Sequence, residues 1–524
     1  MALNPLQENL LRRANVGDLI TRSAARYRNR PALIWRGEPI TYSQINERAC
    51  RVANALTEMG VTRGDRVSLM THNCMQHLYV WFGACKIGAI ANPINVMLKG
   101  SEIAYVINHA EPKVFLVEDS LTETVDSVRA ELKTVQHFGW INFGATPRPE
   151  DYFDADELFS DEYPAIEPEV FVDSNDTAML MYTTGTEARP KGVMTSHLNY
   201  FISVMHLIND VGYSRHDVAL LSIPLFHVAG TVLALVALVV GAKTVLQYAP
   251  NPKEILELTQ KEKVTYWVYP PTLYMALPNL PGFNEFDLSS LKKCISFGGG
   301  LPRATVQRWK EINPNLEWRN YYGQTESSPM GTTSIPETFD EKMDSIGIPD
   351  LTAEIRIVDA NDNEVPVGQV GEIVMRTPAV MKGYFKDEAK TAETLRNGWL
   401  HTGDLGRVDE DGYYYFVDRV KDMIKSGGEN VSSLEVEDTI MQYPKVAMAA
   451  VIGLPDDYWG EAVSAVVVPR PGQTLTPEEL IAFCKQRMAG YKVPKRVFVA
   501  PSLPMTASGK VLKRQLREEY KARR

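Results

Sequence analysis

The chain has 524 residues, of which 44% are hydrophobic and 23% charged, with a formal net charge of −10. This is a globular composition and excludes a disordered, collagenous or coiled-coil chain, while the acidic balance disfavours a general nucleic-acid binder. Five cysteines without a CxxC pair or zinc spacing indicate neither a disulfide framework nor a structural zinc, and fit a reducing compartment.

The first residues, Met1 to Glu8, lack a basic stretch followed by an apolar core, so no secretory signal is expected. Residues 31–35 and 40–42 flank Arg36-Gly37-Glu38 and predict a hairpin. Ser43 is the expected cap of a helix whose apolar stripe is Ile45, Ala49, Val52, Ala53 and Leu56. A strand is expected over 66–70. The nearly all-apolar run 78–90, broken by Lys86, predicts a buried helix. Buried strands are expected at 114–117, 178–182, 243–247 and 265–269, and this alternation argues for parallel sheets covered by helices.

Residues 218–242 contain no Asp, Glu, Lys or Arg, enough length to span a bilayer. Pro224 interrupts any single helix there, so a buried strand, a loop and a buried helix are expected and no integral membrane segment. The character changes near 350, where 353–358 and 371–376 are β-rich. From about residue 420 a compact unit carries roughly +4, against roughly −14 for the rest, an asymmetry that suits a lobe meeting an anionic ligand or, equally, scattered solvated charges.

The stretch Tyr182-Thr183-Thr184-Gly185-Thr186-Glu187-Ala188-Arg189-Pro190-Lys191-Gly192 follows an expected strand. Small and hydroxylated residues leave backbone N–H groups open, and the Thr hydroxyls and a Lys add donors, as a polyphosphate requires. An ordinary Gly/Thr turn is the other reading of this stretch alone, and its spacing is not that of a Walker A loop. Further motifs follow in order. They are Pro224-Leu225-Phe226-His227, Gly298-Gly299-Gly300, Tyr322-Gly323-Gln324-Thr325-Glu326, Trp399-Leu400-His401-Thr402-Gly403-Asp404, the run from Asp418 to Lys425, and Pro504-Met505-Thr506-Ala507-Ser508-Gly509-Lys510.

Together these stretches resemble the signature of the adenylate-forming superfamily, which comprises acyl-CoA synthetases, non-ribosomal adenylation domains and beetle luciferases. The resemblance covers almost the whole chain and is nearest to medium- or long-chain fatty acid or aryl acid CoA ligases. It implies an α/β fold with a large N-terminal domain, residues 1–419, of βα-alternating sheets covered by helices plus a small β-barrel-like subdomain. A small mobile α+β C-terminal domain, residues 420–524, would pivot at Lys421. The implied reaction is ATP-dependent: a carboxylic acid and ATP give acyl-AMP and pyrophosphate, then coenzyme A takes the acyl group. Delivery to a carrier protein or an amine is the alternative. A nucleotide-binding pseudoenzyme is the rival from another class. A cytoplasmic enzyme is expected, for which a homodimer is allowed.

The chemistry explains why such residues are needed. Carboxylate and triphosphate repel each other by on the order of 4 kcal/mol at about 4 Å and an effective dielectric near 20, so cations must cancel the charge. By resemblance Lys510 bridges the acid and the α-phosphate. Glu326 holds Mg²⁺, for which carboxylate oxygen is a suitable hard donor. Thr183, Thr184, Gly185, Thr186 and Lys191 form the phosphate loop, and Thr325 contacts the α-phosphate. The resemblance implies that Tyr322 stacks on adenine, that Gly298, Gly299 and Gly300 line its other side, and that Asp404 and Arg419 take the ribose hydroxyls. His227 stands at the acyl gate, where a packed core histidine is the other reading.

For the second half-reaction, Gly427 and Gly428 can let a thin pantetheine arm pass close to the backbone, and Lys425 is a further candidate cofactor-binding residue. Trp459 and Tyr491 are candidate contacts for the CoA nucleotide. Val493 stands where one aryl-CoA ligase branch has Arg, leaving Lys492, Lys495 or Arg496 to substitute. No Asp follows Phe226, which disfavours an amino acid substrate, and Gly323 is expected to leave an acyl pocket open to a larger acid. Glu187-Ala188 departs from the usual Thr-Gly of the loop. A carboxylate there either turns outward or helps to hold Mg²⁺, and Ala resists the positive φ that Gly allows.

Overall fold

The computed structural model describes residues 3–183, 189–505 and 511–521. They group into two compact units. The first comprises Met1–Met343, Pro349–Glu354 and Arg376–Leu400, and the second Asp344–Ile348, Ile355–Met375 and His401–Arg524.

Two large sheets form the first unit. In one, the strands Glu317–Gly323, Lys293–Phe297, Tyr266–Tyr269, Val218–Leu221, Lys243–Leu246 and Pro31–Trp35 run parallel in that order, with Gly331–Thr333 and Glu38–Thr41 antiparallel beside the ends of this series. The other places Ile90–Pro93, Arg66–Met70, Pro112–Glu118 and His137–Ile141 in parallel, next to the antiparallel pair Thr177–Thr183 and Lys191–Ser196. One apolar core takes in residues of both sheets and of the helices Val16–Tyr27, Tyr42–Glu58, Met75–Lys86 and Val228–Val240. The charge-free run is thus a strand, a loop and a buried helix, as expected. Among the described residues no helix is long and apolar enough to cross a membrane.

Two expectations need correction. Thr41, not Ser43, caps the helix Tyr42–Glu58: its hydroxyl takes the Gln44 N–H, and the Gln44 side chain returns to the Thr41 N–H. Ser43 instead donates its hydroxyl to the Arg28 carbonyl at 3.0 Å. The buried helix also stops at Lys86, and the apolar run continues into the strand Ile90–Pro93. Lys86 is fully buried, and its ammonium donates to Glu167 and Thr21, each at 2.6 Å, which is how a charge is tolerated in this core.

In the second unit the strands Glu354–Val358, Gly371–Arg376, Leu400–Val408 and Tyr414–Arg419 form a small four-stranded sheet. A second, mixed sheet is built on the long antiparallel pair Val446–Asp456 and Gly460–Pro469. Alternate residues of that pair feed opposite faces: Val451, Val463 and Ala465 into one core, Ala450, Ile452 and Val466 into the other. Helices Ser433–Met441 and Pro477–Lys485 cover the first face, and Lys513–Tyr520 the second.

Candidate active site

The strand Thr177–Thr183 returns as Lys191–Ser196, with Thr183 opposite Lys191. The phosphate-loop motif connects them. Its Thr184, Gly185, Thr186, Glu187 and Ala188 lie outside the described residues, as does Lys510. Gly383–Tyr384 pairs with the return strand, Tyr384 opposite Val193. The Tyr384 hydroxyl donates to Glu326 Oε1 at 2.9 Å, and Lys191 Nζ stands 5.2 Å from the centre of the Tyr384 ring. The Met381 N–H also holds the Glu326 carbonyl at 2.8 Å. Tyr384 therefore joins two motif residues that are far apart in the chain. Sequence reasoning missed it. The one local signal was the preceding glycine, Gly383, whose φ is +145° and whose added Cβ would lie 2.6 Å from Thr391.

Tyr322 is the penultimate residue of the strand Glu317–Gly323, whose parallel neighbour pairs Phe297 with Tyr321. Gly298, Gly299 and Gly300 therefore leave the sheet beside Tyr322, at the C-terminal ends of parallel strands, where open α/β sheets bind ligands. A side chain added at Gly300 would meet nothing within 4 Å, and at Gly299 only Pro271, at 3.8 Å, so this strip of backbone is open. Thr325 and Glu326 follow on a short 3-10 turn, Thr325–Ser327.

Gly323 has a different reason from the one expected. An added Cβ would stand 1.3 Å from the Pro329 carbonyl oxygen. The chain's own close approach requires glycine there, so the missing side chain does not by itself mark a vacated acyl pocket. His227 also has a local task. Its Nδ1 accepts the Ala229 N–H at 3.2 Å and caps the helix Val228–Val240, while its half-buried ring faces Phe297 with centres 6.4 Å apart. That helix has no acid in its first turn.

In the second unit Asp404 and Arg419 face each other across an antiparallel pair. Arg419 Nε lies 3.5 Å from Asp404 Oδ1, and only 7% of Asp404 is exposed, so the two present adjacent hydrogen-bonding groups at one strand pair. Lys421 follows in the turn after Arg419, where the N–H groups of Asp422 and Met423 both bond the Arg419 carbonyl.

Gly427 and Gly428, at φ +63° and +87°, turn the chain from Ile424–Ser426 into Glu429–Val431. A Cβ at Gly427 would touch the Trp459 ring at 2.9 Å. The Lys425 N–H bonds the Glu461 carboxylate at 2.8 Å. Lys495 Nζ stands 4.5 Å from the Trp459 ring centre and donates to the Gly490 carbonyl at 2.6 Å. Burial, then Lys485, lowers its pKa. Lys492 and Arg496 are engaged by Glu435 and Asp456, at 2.5 and 2.8 Å. Lys492 Nζ lies 5.7 Å from the Tyr491 ring centre. Gly427, Trp459 and Lys495 are thus brought together, with Tyr491 adjoining through the backbone.

Each unit thus gathers its own set of residues: Lys191, Tyr384 and Glu326 in the first, and Gly427, Trp459 and Lys495 in the second. The sequence pattern of AMP-binding enzymes matches residues 20–385, and that of the AMP-binding enzyme C-terminal domain matches residues 435–510. A feruloyl-CoA synthase from Amycolatopsis is 35% identical over 97% of this chain and 100% of its own. A long-chain-fatty-acid–CoA ligase from Thermus thermophilus is 34% identical over 97% of this chain and 96% of its own. Among solved structures, an anthranilate CoA ligase in complex with anthranoyl-AMP superimposes with a TM-score of 0.90 at 30% identity, covering 97% of each chain. The chain belongs to the AMP-binding enzyme family and is an AMP-forming carboxylate–CoA ligase.

Proposed function

We propose that this ligase activates a bulky carboxylic acid, aryl or long-chain acyl, as its adenylate and passes it to coenzyme A through the residues described above. The observation that carries the reading is the convergence of Lys191, Tyr384 and Glu326 at the end of the phosphate-loop hairpin. The absence of an acid in the first turn of Val228–Val240 favours an uncharged acyl tail over an amino acid, since nothing there would pair with an ammonium.

In the first half-reaction Thr183, Thr184, Gly185, Thr186 and Lys191 hold the phosphates, and Thr325 orients the α-phosphate. Tyr322 and the open backbone at Gly298, Gly299 and Gly300 take the adenine. Asp404 and Arg419 take the ribose. Glu326 fits a magnesium ion: it offers carboxylate oxygens, is half-buried, and is oriented by the Tyr384 hydroxyl. When bound, Mg²⁺ supplies charge neutralisation to phosphate oxygens. Lys510 supplies the cation that lets the acid approach, and His227 borders the acyl entrance.

In the second half-reaction Lys425, Gly427 and Gly428 admit the pantetheine arm, and Trp459, Tyr491 and Lys495 receive the nucleotide of CoA. The C-terminal lobe, residues 420–524, re-orients at Lys421 between the two steps. Five buried free cysteines suit a reducing, cytoplasmic setting. The test is AMP release with and without CoA over a panel of cinnamate-type, benzoate-type and C2 to C16 acids. Efficient CoA-dependent turnover of an aryl or long-chain acid is expected, and turnover confined to acetate would overturn the substrate class.

A further inference from the structure

Helix His197–His206 runs directly into a π-helical turn, Leu207–Val211. Such turns are rare and recur at functional sites. His206 and Asp210 are four residues apart at this junction, a spacing that sets two side chains on one helical face. Asp350 reaches the same place, its carboxylate fully buried and pinned by the Gly331 N–H and the Thr333 hydroxyl, each at 2.7 Å. His206 Nδ1 lies 3.9 Å from Asp210 Oδ2 and 3.9 Å from Asp350 Oδ2. The candidate ligand atoms of all three residues lie within 4.8 Å of one another.

The imidazole is 1% exposed, and its Nδ1 has no hydrogen-bond partner. Its Nε2 is bonded to Thr352 Oγ1. With the proton on Nε2, the Nδ1 lone pair points at two acceptor oxygens. With the proton on Nδ1, 3.9 Å is too long for a hydrogen bond. Folded proteins seldom leave a buried ring nitrogen in either condition. A cation at the centre satisfies all three groups at once, and the Thr352 contact is the outer-shell bond that orients a metal-binding histidine.

We propose that His206, Asp210 and Asp350 form a divalent transition-metal site of the Zn²⁺ class, using none of the residues assigned to Mg²⁺ and nucleotide. One imidazole nitrogen with two carboxylates suits a borderline metal better than Mg²⁺ or Ca²⁺, which prefer oxygen alone. Ligands about 2.0–2.2 Å from such an ion stand roughly 3.4 Å apart in a tetrahedron, so each His–Asp edge needs to close by about 0.5 Å. Asp210, with 20% side-chain exposure, has the freedom to close that gap and leaves room for a water ligand. Its Oδ2 also accepts the Leu351 N–H at 3.2 Å, which holds it near the centre. The bound ion would fasten the helix end to Gly331–Thr333, the strand paired with Tyr322, and so act as a positioning site.

The full chain, stripped with chelator and kept free of ATP and Mg²⁺, would be titrated with Co²⁺. The readouts are visible absorption and melting temperature. Saturable binding of one Co²⁺ per chain with a raised melting temperature is expected, displaced by Zn²⁺. Asp210→Asn, at a partly exposed position, should weaken Co²⁺ binding by about tenfold or more. His206→Gln should abolish the absorption band, and Glu326→Gln should leave it unchanged. No saturable binding, equal binding by Asp210→Asn, or loss in Glu326→Gln would each overturn the site. None of these readouts depends on which acid the enzyme activates.

Discussion

Glu326 and Trp459 are held in opposite ways. In the first unit one side chain braces another: Tyr384 donates to Glu326, and its ring lies under Lys191. In the second unit the Trp459 ring lies against the turn of Gly427 and Gly428, with Lys495 over it. The first arrangement fixes donors and acceptors before the substrate arrives, which is how electrostatic stabilisation of a charged transition state is obtained. The second offers an aromatic face beside a glycine turn, which under the proposed function would receive a long flexible ligand. Substitutions in the braced set should therefore slow chemistry, and those on the turn should mainly weaken CoA binding.

The largest expected effect tests the edge of that division, because Lys510, near the end of the sequence, is the residue proposed for the chemistry. Lys510→Ala should slow acyl-AMP formation by roughly 10²–10³-fold, the scale of one preorganised charge donor. Thioester formation from preformed acyl-AMP should suffer much less, since no anion pair has to be brought together. Equal losses in the two half-reactions, followed separately in single turnovers, would remove Lys510 from the role.

Next in size is the proposed pivot. Lys421 lies in a turn inside the second unit, between its two sheets, where Asp422 and Met423 share the Arg419 carbonyl. Proline there removes an N–H and fixes φ near −65°. If Lys421 is the pivot proposed above, adenylation should stay within about tenfold while thioesterification falls by about 10²-fold, since under that proposal only the second step needs the lobe to move. Parallel slowing of both steps would place the pivot elsewhere.

Tyr384→Phe probes the bracing itself. A hydrogen bond to a charged group contributes about 1.5–3 kcal/mol, so acyl-AMP formation should fall by roughly 10- to 10²-fold. The Mg²⁺ concentration needed for half-maximal rate should rise with it, because Glu326 loses its orientation. A full rate at unchanged Mg²⁺ demand would leave Tyr384 with packing alone.

How much of this was legible beforehand follows the same division. The hairpin at residues 31–42, the parallel strands and the two-part run at 218–242 were readable because burial and strand period write themselves into local sequence. Asp404 and Arg419 were found by motif, and they do face each other. Tyr384 was not found, because its value comes from a sheet pairing with Val193 that brings it to Glu326, 58 residues away in sequence. For Gly323 the packing reason was not legible: only the fold shows the Pro329 carbonyl filling the place of its side chain. Thr41 outcompeted Ser43 as a cap through a reciprocal bond with Gln44 that the sequence pattern allowed but did not single out.

The smallest expected effect concerns Lys495. Three basic residues lie close in sequence, but Lys492 and Arg496 face carboxylates, whereas Lys495 rests on Trp459 and a backbone carbonyl. A cation on an aromatic face, with no carboxylate to neutralise it, is the one of the three best able to meet a nucleotide phosphate. An exposed ion pair contributes up to about 1 kcal/mol, so Lys495→Ala should raise the KM for CoA by about fivefold and leave acyl-AMP formation unchanged. The difference should shrink as ionic strength rises, since exposed charges are screened over about 8–10 Å at physiological salt. CoA lacking its 3′-phosphate locates the contact: if Lys495 meets that phosphate, wild type and Lys495→Ala should bind the truncated ligand alike, the non-additivity expected of two groups in contact. A fivefold difference that persists with the truncated ligand would move the contact to the pyrophosphate. A larger KM effect in Lys492→Ala than in Lys495→Ala would show that the Glu435 pair opens when CoA binds, and would hand the role to Lys492.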